Sequence, residues 1–313
     1  MNRILALLAC ACCVLGLSAE QWAQVNTSVA HVRTAKGHAQ ELCTQEYMGM
    51  PVKVLEKDGN WSRVETTDGY NGWVTSNALV EKTQAEFDAW KKQPRMVVTS
   101  RGEIESYKTP TATDPRSVVT DLVPNDIVVS GDKVENGRLL IILPDGQRAW
   151  ADASAFTPIR EWATQDFDSE RLLGYAYDMM GKPYTWGGNS SKGLDCSGLS
   201  KNSYLRMGIF LLRDASMQAK TGKQLDKDNW QAFEQGDLLF FGSKQTGRVT
   251  HVGIYDKDGI FIHSNGLTQR VSLNSMDPAS PDFPGYTTLG AVRIHGMEDT
   301  HGIVKAINHP WLF

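Results

Sequence analysis

The 313-residue chain carries 32 basic and 36 acidic side chains, a net charge of −4, with 41% apolar and 22% charged residues. That length holds two or three domains, each able to bury its own core. The composition excludes a largely disordered or membrane-embedded body, and a near-neutral balance with no basic stripe argues against nucleic acid as a partner.

Arg3, the apolar run from Ile4 to Leu17 and the small residues Ser18 and Ala19 read as a secretory signal over residues 1–19. The run is too short to span a bilayer, so the expectation is export to the periplasm or the cell exterior, with no membrane span. Leu7-Leu-Ala-Cys10 resembles a bacterial lipoprotein box, and lipid attachment stays open. Cys10, Cys12 and Cys13 lie in this run, so only Cys43 and Cys196 of the five cysteines remain in the mature chain. In an exported protein that pair is either one disulfide or includes a thiol kept for chemistry.

Residues 25–160 hold a diverged repeat. Asp68-Gly-Tyr-Asn-Gly-Trp-Val-Thr-Ser-Asn-Ala-Leu79 aligns with Asp145-Gly-Gln-Arg-Ala-Trp-Ala-Asp-Ala-Ser-Ala-Phe156. Upstream of each lie two alternating strands, Pro51–Leu55 and Trp61–Val64 in the first copy, Asp126–Ser130 and Leu139–Leu143 in the second. Alternation broken by Asp-Gly turns predicts small all-β units. The strand, turn and Gly-Trp-Val succession resembles the bacterial SH3 domain, a small β-barrel, over 25–82 and, more diverged, over 96–160. Trp73 and Trp150 are expected in the barrel cores. Residues 83–95 form a polar, helix-prone linker ending at Pro94.

From residue 165 to 313 the character changes. Leu172, Leu173, Tyr175, Ala176 and Met179 recur at helical spacing, with Asp168 or Ser169 as cap and Gly181 as stop. A glycine-rich loop, Gly187-Gly-Asn-Ser-Ser-Lys-Gly-Leu-Asp195, then leads into Cys196-Ser-Gly-Leu199, which opens a second helix. A cysteine in a helix's first turn sits among unpaired N–H groups, which stabilise a thiolate and can hold an oxyanion.

His251 begins the strand His251-Val-Gly-Ile-Tyr255, and His263 lies in the next strand, after the turn Asp256-Lys-Asp-Gly259. The hairpin brings the two imidazoles together, and a thiol needs one base and that base needs an orienting partner. Zinc ligands come in pairs about two to four residues apart. These three positions do not, so no metal is expected.

The stretches Pro183-Tyr-Thr-Trp-Gly-Gly188, Asp195-Cys-Ser-Gly198, Arg213-Asp214 with Gln218, Gly236-Asp-Leu-Leu-Phe-Phe241, His251-Val-Gly-Ile-Tyr255 and Ile262-His263 together resemble the NlpC family of papain-like cell-wall cysteine peptidases. The fold implied is α+β: two SH3-like barrels followed by a papain-like domain with N-terminal helices and an antiparallel sheet. By that resemblance Cys196 is the nucleophile, His251 the base and later acid, and His263 the orienting third member. Ser197 and Cys196 N–H groups form the oxyanion hole, faced by the Tyr184 hydroxyl. Trp186, Asp195, Ser197, Arg213, Asp214 and Ser216 fall on or near the substrate groove. The register of Ala215 against Ser216 stays open, and Arg213 with Asp214 reads also as an ion pair at a helix entry.

Members of that family cut peptidoglycan stem peptides, commonly after γ-D-glutamate, and those with two SH3-like domains resemble the dipeptidyl-peptidase VI type. There the first barrel closes the cleft and reads a free N-terminal L-alanine. An ammonium calls for a carboxylate and acceptor oxygens, for which Glu41 and Tyr70 are the matches. The implied partner is a released L-Ala-γ-D-Glu-diamino acid peptide, cut by a monomer without cofactor; the diamino acid, lysine or diaminopimelate, stays open. A non-catalytic wall-binding SH3 protein, or an amidase or acyltransferase on the same fold, are the other readings.

Overall fold

In the computed structural model, which describes residues 20–313, the chain opens with seven short strands, of which 29–33, 61–65 and 71–75 alternate buried with more exposed side chains. They are β1 (Trp22–Val25), β2 (Val29–Arg33), β3 (Leu42–Tyr47), β4 (Pro51–Asp58), β5 (Trp61–Glu65), β6 (Asn71–Thr75) and β7 (Leu79–Lys82). Their order in one sheet is β3-β2-β6-β5-β4-β1-β7. Val25, Val32, Val52, Val64 and Val74 meet in a single buried cluster, which requires the sheet to curl over its own inner face. β3 and β7 remain unpaired edges, so the expected barrel is a curled open sheet without hydrogen-bonded closure. The expected secretory signal, with Cys10, Cys12 and Cys13, lies outside the described residues.

The second unit repeats this plan. β8 (Arg95–Val98), β9 (Ile104–Tyr107), β10 (Val118–Leu122), β11 (Ile127–Glu135), β12 (Arg138–Ile142), β13 (Arg148–Asp152) and β14 (Phe156–Pro158) run in the order β10-β9-β13-β12-β11-β8-β14. Strand for strand this is the order of the first sheet, so the diverged sequence repeat is a repeat of fold. The tryptophans correct an expectation. Trp73 and Trp150 are only half-buried, each under a lysine, Lys36 and Lys133. Their neighbours Val74, Ala149 and Ala151 fill the cores instead, because alternation sends adjacent residues to opposite faces.

Between the sheets, α1 (Gln84–Lys91) starts with a capping box in which Thr83 and Glu86 satisfy each other's backbone N–H. It is more than a linker. Phe87 stacks on Trp22 at 4.2 Å and on Trp90 at 5.8 Å. The cluster continues through Ile159 and Trp162 of α2 (Ile159–Thr164) to Phe210 and Leu312, so one apolar core joins all three parts of the chain.

In the third part, α3 (Ser169–Tyr177) is capped by Asp168, whose carboxylate accepts from Arg171 N–H at 3.0 Å. A small hairpin, β15 (Asn189–Ser190) and β16 (Gly193–Leu194), precedes α4 (Cys196–Arg206). Then follow β17 (Ile209–Leu211), α5 (Ala215–Gln218), β18 (Lys223–Leu225), β19 (Leu238–Ser243), β20 (Arg248–Tyr255), β21 (Ile260–Asn265), β22 (Arg270–Ser275), β23 (Thr288–Arg293) and β24 (Ile303–Lys305). β24 pairs with β17, and the main sheet has the antiparallel order β18-β23-β19-β20-β21-β22. Leu199 of α4 and Leu172 of α3 pack on Phe240, Val252 and Ile262 of this sheet. No helix among the described residues is long and apolar enough to cross a membrane.

Candidate active site

Cys196 is the first residue of α4, and Asp195 is its N-cap. The Asp195 carboxylate accepts from Gly198 N–H at 2.7 Å and from Gly187 N–H at 3.0 Å. Gly198 being taken by the cap, the N–H groups of Cys196 and Ser197 are the ones left without intrahelical partners. The Ser197 N–H and the Val252 N–H, the latter one residue past His251 on β20, both stabilise the ionised sulfur.

A glycine-rich approach is needed here for a steric reason. Gly187 has φ +75°, and a Cβ there would lie 2.2 Å from the carbonyl oxygen of Leu42 in the first unit. The loop therefore passes directly against β3.

Arg213 and Asp195 form a bidentate ion pair beneath the cleft, with Nη1 to Oδ1 at 3.1 Å, and Arg213 also donates to Ser197 Oγ at 3.0 Å. Both are buried, so their polar atoms brace the first turn of α4. Gln218 of α5 adds a second brace, donating to Ser197 O at 3.2 Å and accepting from Ser200 Oγ at 2.7 Å.

The two imidazoles are joined directly. His251 Nε2 and His263 Nδ1 are 2.7 Å apart, and His263 Nε2 meets Asn274 Oδ1 at 2.7 Å. Phe241, Phe261 and Tyr286 surround the rings, with Tyr286 5.5 Å from His251 and 6.0 Å from His263. Neither Asn274 nor Tyr286 was expected from the sequence. Asn274 stands two residues beyond Ser272, the cross-strand partner of His263, and so shares its face; only a registered β21–β22 pairing would have revealed it.

Helix position favours a thiolate at Cys196, and the burial of the site opposes it. Burial, reinforced by Asp195, pushes the Cys196 thiol up to about 12. Burial and the neighbouring His263 push His251 down to about 3, and burial lowers His263 to about 4. Each group thus resists charging alone. Cys43 and Cys196 are both free, so the disulfide reading fails.

A cleft of about 340 Å³ runs between the first unit and the third part of the chain. Glu41, Tyr70, Tyr184, Trp186, Asp195, Cys196, Ser197, Arg213, Asp214 and Ser216 all line it, as do Cys43 and Arg248. Ala215 lines it beside Ser216, so both candidate registers face the cleft. His251 opens onto an adjoining hollow, and Tyr184 and Thr250 form the wall common to both. Burial raises the Tyr184 hydroxyl, with the nearby Cys196 adding to the shift.

Glu41 Oε1 accepts from the Trp186 indole N–H at 2.7 Å, and Tyr70 Oη donates to Asp214 Oδ2 at 3.4 Å. Burial raises the Asp214 carboxyl against the pull of Arg213. Behind them the first unit is held by buried hydrogen bonds: Asn189 N–H to Gln45 Oε1 at 3.0 Å, Ser190 Oγ to Gln45 Oε1 at 2.9 Å, and Asn202 Nδ2 to Tyr47 Oη at 3.0 Å.

A thiol at a helix start, joined imidazoles on an antiparallel sheet, and SH3-like units in front define a cysteine-peptidase architecture. Residues 181–283 match the NlpC/P60 family, and residues 32–79 match the bacterial dipeptidyl-peptidase SH3 domain. The chain is 30% identical to the gamma-D-glutamyl-L-lysine dipeptidyl-peptidase of Bacillus cereus over 261 residues, 80% of this chain and 73% of that one. It is 27% identical to dipeptidyl-peptidase 6 of Lysinibacillus sphaericus over 257 residues, covering 77% and 86%. A solved NlpC/P60 family protein from Bacillus cereus has the same fold with TM-score 0.73 and 25% identity, covering 87% of this chain and 99% of that one. The chain belongs to the NlpC/P60 family and is a cysteine peptidase.

Proposed function

We propose that this enzyme hydrolyses the γ-D-glutamyl bond to a diamino acid in peptidoglycan stem peptides that bear a free N-terminal L-alanine. The expected sites of action are the periplasm or exterior, on released fragments. The observation that carries this reading is the part of the cleft where Glu41 of the first unit and Asp214 of the third part face one space with Tyr70 and Trp186. Two carboxylates there suit an ammonium group. A peptide whose amino terminus is tied to a sugar or an acetyl group has no charge to offer them. The γ-D-glutamyl-L-lysine activity named for the Bacillus cereus relative agrees with this, and lysine is the diamino acid we assign.

In this reading Cys196 passes its proton to His251 as the sulfur attacks the γ-carbonyl carbon. The carbonyl π electrons move onto oxygen, where the N–H groups of Cys196 and Ser197 and the Tyr184 hydroxyl stabilise the oxyanion. Collapse expels the diamino acid amine, which takes the proton from His251, and leaves L-Ala-D-Glu as a thioester on sulfur. His251 then draws a proton from water, whose oxygen attacks the thioester; the thiol is restored and the dipeptide leaves. His263 holds the His251 ring. Asp195, Arg213 and Ser216 shape the cleft, the first two from below.

Mass spectrometry of products from L-Ala-γ-D-Glu-L-Lys tests this, with the N-acetylated peptide in parallel and Cys196→Ala as control. Release of L-Ala-D-Glu from the free peptide only is expected. Equal cleavage of the acetylated peptide contradicts recognition of the amino terminus.

A further inference from the structure

We propose that Asn274 is a positioning residue for the proton chain: anchored by the carbonyl of Asp282, it fixes both imidazoles as Nε2–H tautomers and leaves His251 Nδ1 as the nitrogen that takes the Cys196 proton. This rests on the Cys196–His251–His263 reading above and adds a fourth member to it.

The derivation is one of donors and acceptors. Asn274 Nδ2 lies 2.7 Å from the backbone oxygen of Asp282. A carbonyl can only accept, so the amide nitrogen must face it, and the amide cannot flip without losing that bond. Oδ1 is thereby turned to His263 Nε2 at 2.7 Å, and an amide oxygen can only accept. His263 therefore carries its proton on Nε2, and its Nδ1 is bare. His251 Nε2, 2.7 Å away, must then be the donor. Its single remaining nitrogen, Nδ1, has a lone pair. Each assignment compels the next, and the chain begins at a main-chain atom that cannot change its role.

The loop 276–287 supplies both ends of this arrangement. Asp282 O also accepts from Ser275 N–H at 3.1 Å, which ties the loop to the end of β22. Tyr286 lies edge-on to both rings from the same loop. Tyr286 from this loop is the titratable group in contact with both imidazoles, Cys196 from α4 lies close enough to raise the Tyr286 hydroxyl, and Phe241 and Phe261 supply the apolar walls. Without the amide oxygen, His263 could carry its proton on Nδ1. Two N–H groups would then oppose each other, or His251 would turn its proton toward the thiol and cease to be a base.

Three measurements decide this. Long-range proton–nitrogen spectra of ¹⁵N-histidine-labelled enzyme are expected to show His251 and His263 both as Nε2–H tautomers near neutral pH; an Nδ1–H form of either overturns the proposal. In kinetics on L-Ala-γ-D-Glu-L-Lys, Asn274→Leu is expected to lower kcat at least about tenfold with KM within about twofold. Asn274→Asp keeps the acceptor toward His263, gives up the donor to Asp282 O and adds a charge, so it is expected to recover kcat in part relative to Asn274→Leu and to move the acid limb of kcat/KM upward by about one pH unit. A merely structural asparagine would move no limb. Wild-type kcat in Asn274→Leu, or an unmoved limb in Asn274→Asp, overturns the proposal while leaving the catalytic triad intact. Should Asn274→Leu fail to fold, the spectra and Asn274→Asp still decide. If Cys196→Ala and His263→Ala are themselves fully active, the underlying reading fails and the proposal with it.

Discussion

The indole N–H of Trp186 reaches 2.7 Å to the carboxylate of Glu41, joining the loop before Cys196 to the first SH3-like unit. Only one carboxylate oxygen is used. The other is free to meet a cation at the end of the cleft, beside Asp214 and Tyr70. The proposed amino-terminus site and the proposed nucleophile are therefore set by different parts of the chain, the first unit and the third.

Glu41→Gln keeps an acceptor for Trp186 and removes the charge. A hydrogen bond to a charged group is worth about 1.5–3 kcal/mol, so kcat/KM on the free peptide should fall by about 10–100-fold, mainly through KM. Steady-state kinetics read this directly; an unchanged KM would place the amino terminus elsewhere.

Gly187→Ala tests the seam sterically. With φ +75° and Leu42 O 2.2 Å from the new Cβ, the loop must move away from β3. A cost on the order of 1–3 kcal/mol is expected, seen as a lower melting midpoint together with reduced kcat/KM. If both stay at wild-type values, the close approach plays no part in shaping the cleft.

The pH dependence follows from the burial of the catalytic groups. On the proposed mechanism, free enzyme is active while the thiol–imidazole pair holds one proton. Adding a second requires protonating His251, pushed down to about 3, and removing the first requires ionising Cys196, pushed up to about 12. The kcat/KM profile should therefore have an acid limb well below the usual histidine value of about 6.5 and an alkaline limb above the usual thiol value. Limbs at or inside those ordinary values would contradict the neutral resting pair.

Beneath the cleft, Lys201 bridges to Asp68 at 2.8 Å, both fully buried, while Glu46 Oε2 stands nearby without a partner. Asp68 holds the ammonium, which acts on Glu46 only through its field. Burial pushes Glu46 from 4.5 up to about 7, so the fold favours its protonated form. Stability tied to that proton is fully present below pH 4.5 and is lost as pH rises through 7. Glu46→Gln should stabilise the enzyme by on the order of 1–3 kcal/mol at pH 8 and not at pH 4, measured by urea unfolding. Equal destabilisation at both pH values would show that the carboxyl is needed for its shape.

Much of this was legible in the sequence because the signals were local. Asp195 before Cys196 gave a helix start, and the Asp-Gly turn gave the hairpin that brings His251 and His263 together. The repeated Asp-Gly and Trp spacing gave two like units. What stayed hidden depends on register and on contacts between units. Trp73 and Trp150 sit in the motif but on the outer face, which a one-residue change in phase decides. The polar look of α1 concealed Phe87 and Trp90, which bury against distant segments. Asn274 carries no motif, since its role follows from pairing across β21 and β22. Helix position alone favours a thiolate at Cys196, and the burial that opposes its charge depends on contacts distant in the chain.

Covalent trapping tests the central claim most directly. Enzyme mixed with L-Ala-γ-D-Glu-L-Lys, quenched in acid within one turnover and digested, should yield a Cys196 peptide heavier by one L-Ala-γ-D-Glu acyl group, absent from Cys196→Ala. An adduct on another residue, or rapid turnover by the variant that lacks this sulfur, would contradict it.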